Sequence, residues 1–498
     1  MSTPTSSSEG HVHRHVTQFR VFLMTIGSFT YAYASSIIGT TLAQPSFISY
    51  FDMDTRSNAT QVSGAINGVF QAGCLVGALA CIPIADKHGR RMAVSIAGML
   101  GVLGGALQAA SVHIAMYIAM RVVSGLGVGA LVTMVPLYLA EVAAPGVRGR
   151  VVGTTGIMIA AGYSSASWIG FAFYFVHVSN AQWRIPTAIQ CIPALVLAIG
   201  VWWLPESPRW HRVEDALEMF NRAHAGHHNT NETAENAEFQ LLHAQIAQEK
   251  HMPTGFKELL THPSLRKRTL LGFLCLFGSQ AAGTQVINNY GPSLYAGLGY
   301  GTTETLLIQS CWITTIVFGN IINAVSLDKF GRKPLLVLGF TGCAAALIGE
   351  SVSVARYQTT GNHSAAVAAV FFLFFEVAVF SSTIDATSYV YPSEIFPTPI
   401  RAKGMAVSAA GLFLASLMIL VPAPKAFENI HWKYFLVFVC LSSAMVPVVV
   451  LLFPETKRKT LEEMSALFKD HEVENIDTQK DGKILTIFVE NATAFVKK

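Results

Sequence analysis

Asp86-Lys87-His88-Gly89-Arg90-Arg91 returns as Asp328-Lys329-Phe330-Gly331-Arg332-Lys333, and the reading of this repeat decides the fold. Two more phrases repeat with it. Glu141 precedes Arg148 by seven residues, as Glu394 precedes Arg401, and Pro205-Glu206-Ser207-Pro208-Arg209 has its counterpart in Pro454-Glu455-Thr456-Lys457-Arg458. Each basic cluster closes a long apolar run. Matching charged punctuation between apolar runs in two halves of a chain predicts two copies of one bundle of membrane helices.

Composition points the same way. Only 13% of the 498 residues are charged against 52% hydrophobic, and a mean hydropathy of +0.44 is too high for the interior of one soluble domain. The net charge of +4 is small and its basic residues lie between apolar runs, which argues against nucleic acid. The seven cysteines fall in or beside apolar segments, with neither a disulfide framework nor metal spacing. His11, His13 and His15, and His224, His227 and His228, read as solvated polar sequence. No metal or cofactor is expected.

A helix needs about 20 apolar residues to cross the hydrocarbon layer. Twelve such runs lie near 19–42, 63–84, 93–112, 116–138, 152–175, 185–204, 269–290, 304–326, 334–354, 365–390, 403–423 and 432–453. The predicted fold is an all-α membrane protein with twelve transmembrane helices in two pseudo-symmetric six-helix bundles, 19–204 and 269–453. The polar segment 205–268 reads as a linker with short helices such as Glu235 to Lys250, and 1–18 and 454–498 as tails.

Lys87, Arg90, Arg91, Arg148, Arg150, Lys329, Arg332, Lys333, Arg401 and Lys403 share one side, and only scattered Arg56, Arg184, Arg356, Lys425 and Lys433 lie on the other. The positive-inside rule makes the first side cytoplasmic, with both termini and the linker. The sequons at Asn58 and Asn362 then fall outside, where glycans can be added, and those at Asn231 and Asn491 fall inside. The stretch before Phe19 is too polar for a cleavable signal. A plasma-membrane monomer in the lipid bilayer is expected.

The motifs together resemble the sugar porter family of the major facilitator superfamily, fungal members most closely. The resemblance rests on Asp86 to Arg91, Arg121-Val122-Val123-Ser124-Gly125-Leu126-Gly127-Val128-Gly129, Pro136-Leu137-Tyr138-Leu139-Ala140-Glu141, Pro205 to Trp210, Asp328 to Lys333, Tyr391-Pro392-Ser393-Glu394-Ile395-Phe396-Pro397 and Pro454-Glu455-Thr456. It spans residues 20 to 465 in order. It implies a major facilitator fold and alternating-access transport, facilitated or proton-coupled, of a sugar or related polyhydroxylated small solute. Asp86, Arg90, Arg91, Glu141, Arg148, Glu206, Asp328, Arg332, Glu394, Arg401 and Glu455 would then form cytoplasmic gating salt bridges. Gly125, Gly127 and Gly129 sit within a span, so they read as helix-packing glycines and not as a nucleotide loop.

Within the membrane the chain departs from that family. The family's seventh-helix Gln-Gln-x-x-Gly-x-Asn reads here Ser279-Gln280-Ala281-Ala282-Gly283-Thr284-Gln285, followed by Asn289-Tyr290. Its other sugar-binding amides and rings align with Gly156, Ile316, Tyr389 and Leu412-Phe413. Each sugar hydroxyl buried without a partner costs roughly 1 to 3 kcal/mol. Ser279, Gln280, Gln285, Asn289, Tyr290, Asp385 and Tyr389 are the substrate-binding candidates, with Asn67, Gln71, Ser164, Ser165, Ser167 and Asn288 as possible compensation.

The family's proton-coupling Asp of the first helix aligns with Ala34, and its companion Arg121 remains. Glu376 and Asp385 lie inside the tenth run, where carboxylates are costly and usually functional. Nine residues apart, they face opposite sides of an ideal helix. Asp385 shares a face with Tyr389 four residues on, so Asp385 and Arg121 are the coupling candidates. They should not pair directly: Arg121 is twenty residues from Glu141 and Asp385 only nine from Glu394, a depth difference of roughly 16 Å at about 1.5 Å per residue. Glu376 is closer in depth to Arg121 and could replace its missing partner. Alternatives are a carrier of an organic acid or secondary metabolite on the same frame, and a non-transporting sugar sensor. An enzyme is not expected, because no nucleophile, base and metal spacing assembles.

Overall fold

The computed structural model describes residues 6–142, 148–207, 255–397, 400–457, 459, 463–464 and 467–468, without side-chain detail for 6–18, 148–153 and 328. The predicted helix Glu235 to Lys250 lies outside the described residues. Twelve helical segments are long and apolar enough to cross a membrane: Phe19–Thr41, Ala59–His88, Arg90–Ala109, Ile114–Val142, Thr154–Tyr174, Ala181–Trp203, Pro263–Gly297, Thr302–Leu327, Arg332–Thr360, His363–Ile395, Arg401–Ile430 and Lys433–Leu452. They are numbered below as spans one to twelve. Several outrun the apolar pattern because a helix does not stop where hydrophobicity does. Span seven starts at Pro263 and carries Arg266, Lys267 and Arg268 in its first turns.

The spans pack as two bundles with the same internal plan. In the first, span two packs on four, one on five and three on six; in the second, eight packs on ten, seven on eleven and nine on twelve. The bundles meet through spans two with eleven, five with eight, and one with seven. Adding six to each number maps this set onto itself, so the halves are related by a pseudo-two-fold axis. Spans three, six, nine and twelve turn large apolar side chains outward, among them Met99, Leu103, Val196, Trp203, Leu338, Val352 and Leu451, as a lipid-facing surface requires.

The repeated motif is a repeated turn. Gly89 and Gly331 take φ +91° and +93° between spans two and three and between eight and nine, a region costly for residues with a Cβ. The Gly125, Gly127 and Gly129 row allows close approach: a Cβ at Gly129 would stand 2.3 Å from the Cys74 carbonyl oxygen of span two.

Four spans are not continuous α-helices: span six breaks between Ala181–Ile189 and Cys191–Gly200, span eleven between Arg401–Leu420 and Ala423–Ile430, and the other two are seven and ten. Span seven breaks between Pro263–Ala281 and Thr284–Gly297, with Gly283 at φ +89°. Span ten runs as His363–Phe380, then a π turn Ser381–Asp385, then Ala386–Ile395. The π turn ends at Asp385, so ideal-helix geometry alone does not fix how Glu376 and Asp385 are disposed.

Candidate functional site between the two bundles

At the arginine-bearing end the two halves build the same cluster. Arg90 meets Glu141 at 3.2 Å and Asp86 at 3.5 Å, and donates to the Ala85 carbonyl at 3.0 Å. Glu206 accepts the backbone amide of Arg90 at 2.9 Å, and the Ser207 hydroxyl donates to Glu141. In the second half Arg332 meets Glu394 at 2.6 Å and the Leu327 carbonyl at 3.1 Å, Glu455 accepts the Arg332 amide at 3.0 Å, and Thr456 donates to Glu394 at 2.6 Å. These contacts close inside each bundle. Lys403 and Asp86 form an ion pair that crosses between the bundles, at 3.8 Å. Arg91 turns to Trp202, donating to its carbonyl at 2.7 Å and lying 5.1 Å from its ring centroid. Arg401 donates to the Phe396 carbonyl at 3.3 Å. The side chains of Arg148 and Asp328 lie outside the described residues.

At the other end the bundles are bridged. Ser36 donates to Asn288 at 3.2 Å, Gln285 to Ser35 at 3.4 Å, and the Tyr290 hydroxyl to the Ser63 carbonyl at 3.4 Å, while also donating to the Leu420 carbonyl of its own bundle at 3.0 Å. Ser167 bonds Ser310 at 3.0 Å, and Ser164 and Trp168 both bond Thr314. Thus Tyr290, Ser164 and Ser167, all substrate candidates from sequence, are engaged in helix-to-helix contacts. Asn289 is buried and donates to the Gln285 carbonyl at 2.8 Å. Asn58 and Asn362 are exposed on this end, before spans two and ten.

Midway along the spans, one apolar cluster is shared by both bundles. Tyr31, Phe70, Cys74 and Val128 come from the first, Leu276, Leu412 and Phe413 from the second, and Tyr163 and Tyr389 pack at its edge. Tyr31 lies edge-on to Tyr163 and Phe413, with centroids 6.5 Å and 6.2 Å apart. Asp385 is half-buried, held by the Asn320 amide at 2.9 Å and within electrostatic range of Tyr163 and Tyr389. Gln280, also half-buried, accepts from Ser416 and donates to Ser279, each at 3.3 Å, while Ser279 itself is buried. Rings from both halves with a few polar groups beside them are the usual lining of a small-molecule site.

Arg121 is wholly buried in the first bundle, donating to the Ala34 carbonyl at 2.9 Å with its guanidinium 4.2 Å from the Phe70 ring centroid. It bonds the backbone of the residue that stands where the family places its acid. Glu376 does not replace that acid. It accepts from Thr284 at 2.6 Å inside the second bundle, because the inter-bundle face of span ten is taken by Asp385 and Tyr389. A second buried carboxylate, Glu350 on span nine, was missed in the sequence reading. A lone acid in an apolar run was the available signal.

Two like bundles of six apolar spans packed face to face have the architecture of a membrane carrier. The family model described as "Sugar (and other) transporter" matches residues 20–468. The chain is 32% identical over 466 residues to the MFS-type transporter criB of Aspergillus cristatus, covering 92% of this chain and 95% of that one. It is 30% identical to the MFS glucose transporter mfs1 of Aspergillus flavus, over 89% and 88% of the two chains, and 30% identical to a probable quinate permease of Aspergillus niger, over 92% and 90%. A structure of the proton:xylose symporter XylE with a bound bromodeoxyglucose superposes with a TM-score of 0.76, covering 90% of this chain and 98% of that one at 23% identity. The chain belongs to the sugar transporter family of the major facilitator superfamily, whose members are carriers and not enzymes.

Proposed function

We propose that this carrier moves a small polyhydroxylated ring compound of the sugar class across the plasma membrane by alternating access. The observation that carries this reading is the central cluster contributed by both bundles, with the Tyr31, Tyr163, Tyr389 and Phe413 rings beside Gln280 and Asp385. The rings would cover the apolar face of a sugar ring while the amide and carboxylate take its hydroxyls. Relatives that carry glucose support the class. Gly156, Ile316 and Leu412 stand where the family has amides, so affinity for a plain hexose is expected to be weak.

The arginine-bearing end is taken as cytoplasmic, with both termini, from the distribution of positive charge. The mirrored clusters then brace the cytoplasmic ends of each bundle, and Lys403 with Asp86 latches one bundle to the other. Asn58 and Asn362 would be open to glycosylation. Counterflow of labelled glucose, xylose and polyols in proteoliposomes tests the reading, because exchange needs no driving gradient; saturable exchange supports it, and its absence across this class refutes it.

Arg121 favours a second reading. A buried guanidinium with no carboxylate among its described contacts, and with Nη2 lacking a hydrogen-bond partner, would welcome an acidic solute. A relative named for quinate, a carboxylated ring polyol, fits that chemistry. Exchange of quinate but not glucose would select it.

A further inference from the structure

We propose that Glu350, Glu376 and Tyr295 form a proton-binding site inside the second bundle, off the solute path, which acts on the carrier through the Thr284 hydrogen bond. The proposal rests on the carrier reading above and adds to it the location of the driving ion's site.

All three side chains are buried: Glu376 and Tyr295 have no exposure and Glu350 has 1%. They come from spans ten, seven and nine. Glu350 Oε2, Glu376 Oε2 and Tyr295 Oη have no hydrogen-bond partner, although each atom is sealed from solvent. The two carboxylates lie within electrostatic range of each other, and Tyr295 is in range of both. The groups facing Glu376 are the Thr284 and Tyr295 hydroxyls from span seven, and Glu350 and Cys343 from span nine. Span eight contributes Trp312, whose indole is committed to the Leu373 carbonyl at 3.0 Å. Among the described residues no Lys, Arg or His bears on either glutamate.

Two carboxylates in an apolar interior without a cation cannot both stay ionised. A hydrogen ion resolves the conflict, since it removes one charge and turns an orphan acceptor into a donor. Two carboxylates and a phenol offer too few oxygens for a hard metal cation.

The site is wired to a moving part. Thr284 is the first residue after the Gly283 break, and the half-helix it begins carries Gln285, Asn288 and Tyr290, which seal the bundles together at one end. Ionised Glu376 accepts a charge-assisted hydrogen bond from Thr284, roughly twice as strong as a neutral one. Protonation weakens that bond at the hinge, so proton occupancy biases how the half-helix docks on span one.

The full chain in proteoliposomes tests this with an imposed pH gradient, acid outside, and labelled glucose or quinate, whichever exchanges. The wild type should concentrate label. E376Q and E350Q should lose that accumulation, and their counterflow should no longer change between acid and neutral buffer. T284V, which leaves both acids in place, should lose accumulation as well, and guards against a glutamine variant that fails to fold. Accumulation persisting in both glutamine variants, or driven by a sodium gradient and not by pH, overturns the proposal. A wild type that exchanges label but ignores the pH gradient overturns it while the carrier reading stands. If neither solute exchanges, the carrier reading falls on its own and infrared titration of the wild type decides the site: a buried carboxylic acid band lost in E376Q supports it, and no such band overturns it.

Discussion

In the first bundle Arg90 meets Glu141 and Glu206 takes the Arg90 amide; in the second Arg332 meets Glu394 and Glu455 takes the Arg332 amide. Even the helper hydroxyls correspond, Ser207 with Thr456. The interiors do not match in this way. Among the described residues, the first bundle buries Arg121 away from any carboxylate partner, and the second holds Glu350, Glu376 and Asp385 within its spans. The duplicated parts are those any rocking bundle needs. On the proposed reading, the parts that occur once are those that recognise a particular solute or ion.

The largest effect should fall on the duplicated clusters, and equally on both. R90Q and R332Q each strip a mostly buried arginine from its carboxylate, and each should cost about 3 kcal/mol, read as a similar fall in the melting temperature of the detergent-solubilised carrier. A large effect in one half alone would break the equivalence. A smaller, functional effect is expected from D385N, which removes a charged acceptor worth about 2 kcal/mol; KM should rise tenfold or more on the order of that energy while thermal stability holds, and an unchanged KM would remove Asp385 from the site.

G283A should cost about 1 to 2 kcal/mol through its left-handed backbone. Its Cβ would also stand 2.9 Å from the Phe438 ring. Exchange rate should drop more than affinity, and a pure affinity loss would deny the hinge. K403A should change stability by at most about 1 kcal/mol, since the pair with half-exposed Asp86 is solvent-screened. A faster exchange in K403A would sharpen its role as a latch.

The bundles were legible because a membrane span must be long, apolar and continuous in sequence, and the charges that end it stand out. Phe19–Thr41 and Lys433–Leu452 match the apolar runs almost to the residue. The clusters were legible as participants but not as pairs, since offsets along the chain do not say whether Arg332 reaches Glu394 or a residue of the other half. The π turn at Ser381–Asp385 left no apolar or glycine signal, yet Glu376 and Asp385 still meet different neighbours, Thr284 inside the second bundle and Asn320 beside Tyr163. Tyr290 reads as a sugar-ligand candidate from sequence, and the backbone carbonyls its hydroxyl meets, of Leu420 and Ser63, carry no side-chain signature that could have announced those contacts.

Counterflow of labelled glucose, xylose and quinate into proteoliposomes, wild type beside D385N, tests the central claim most directly. The account predicts saturable exchange of at least one of these ring polyols by the wild type, with affinity sharply reduced in D385N. A folded wild type that exchanges none of them would contradict it.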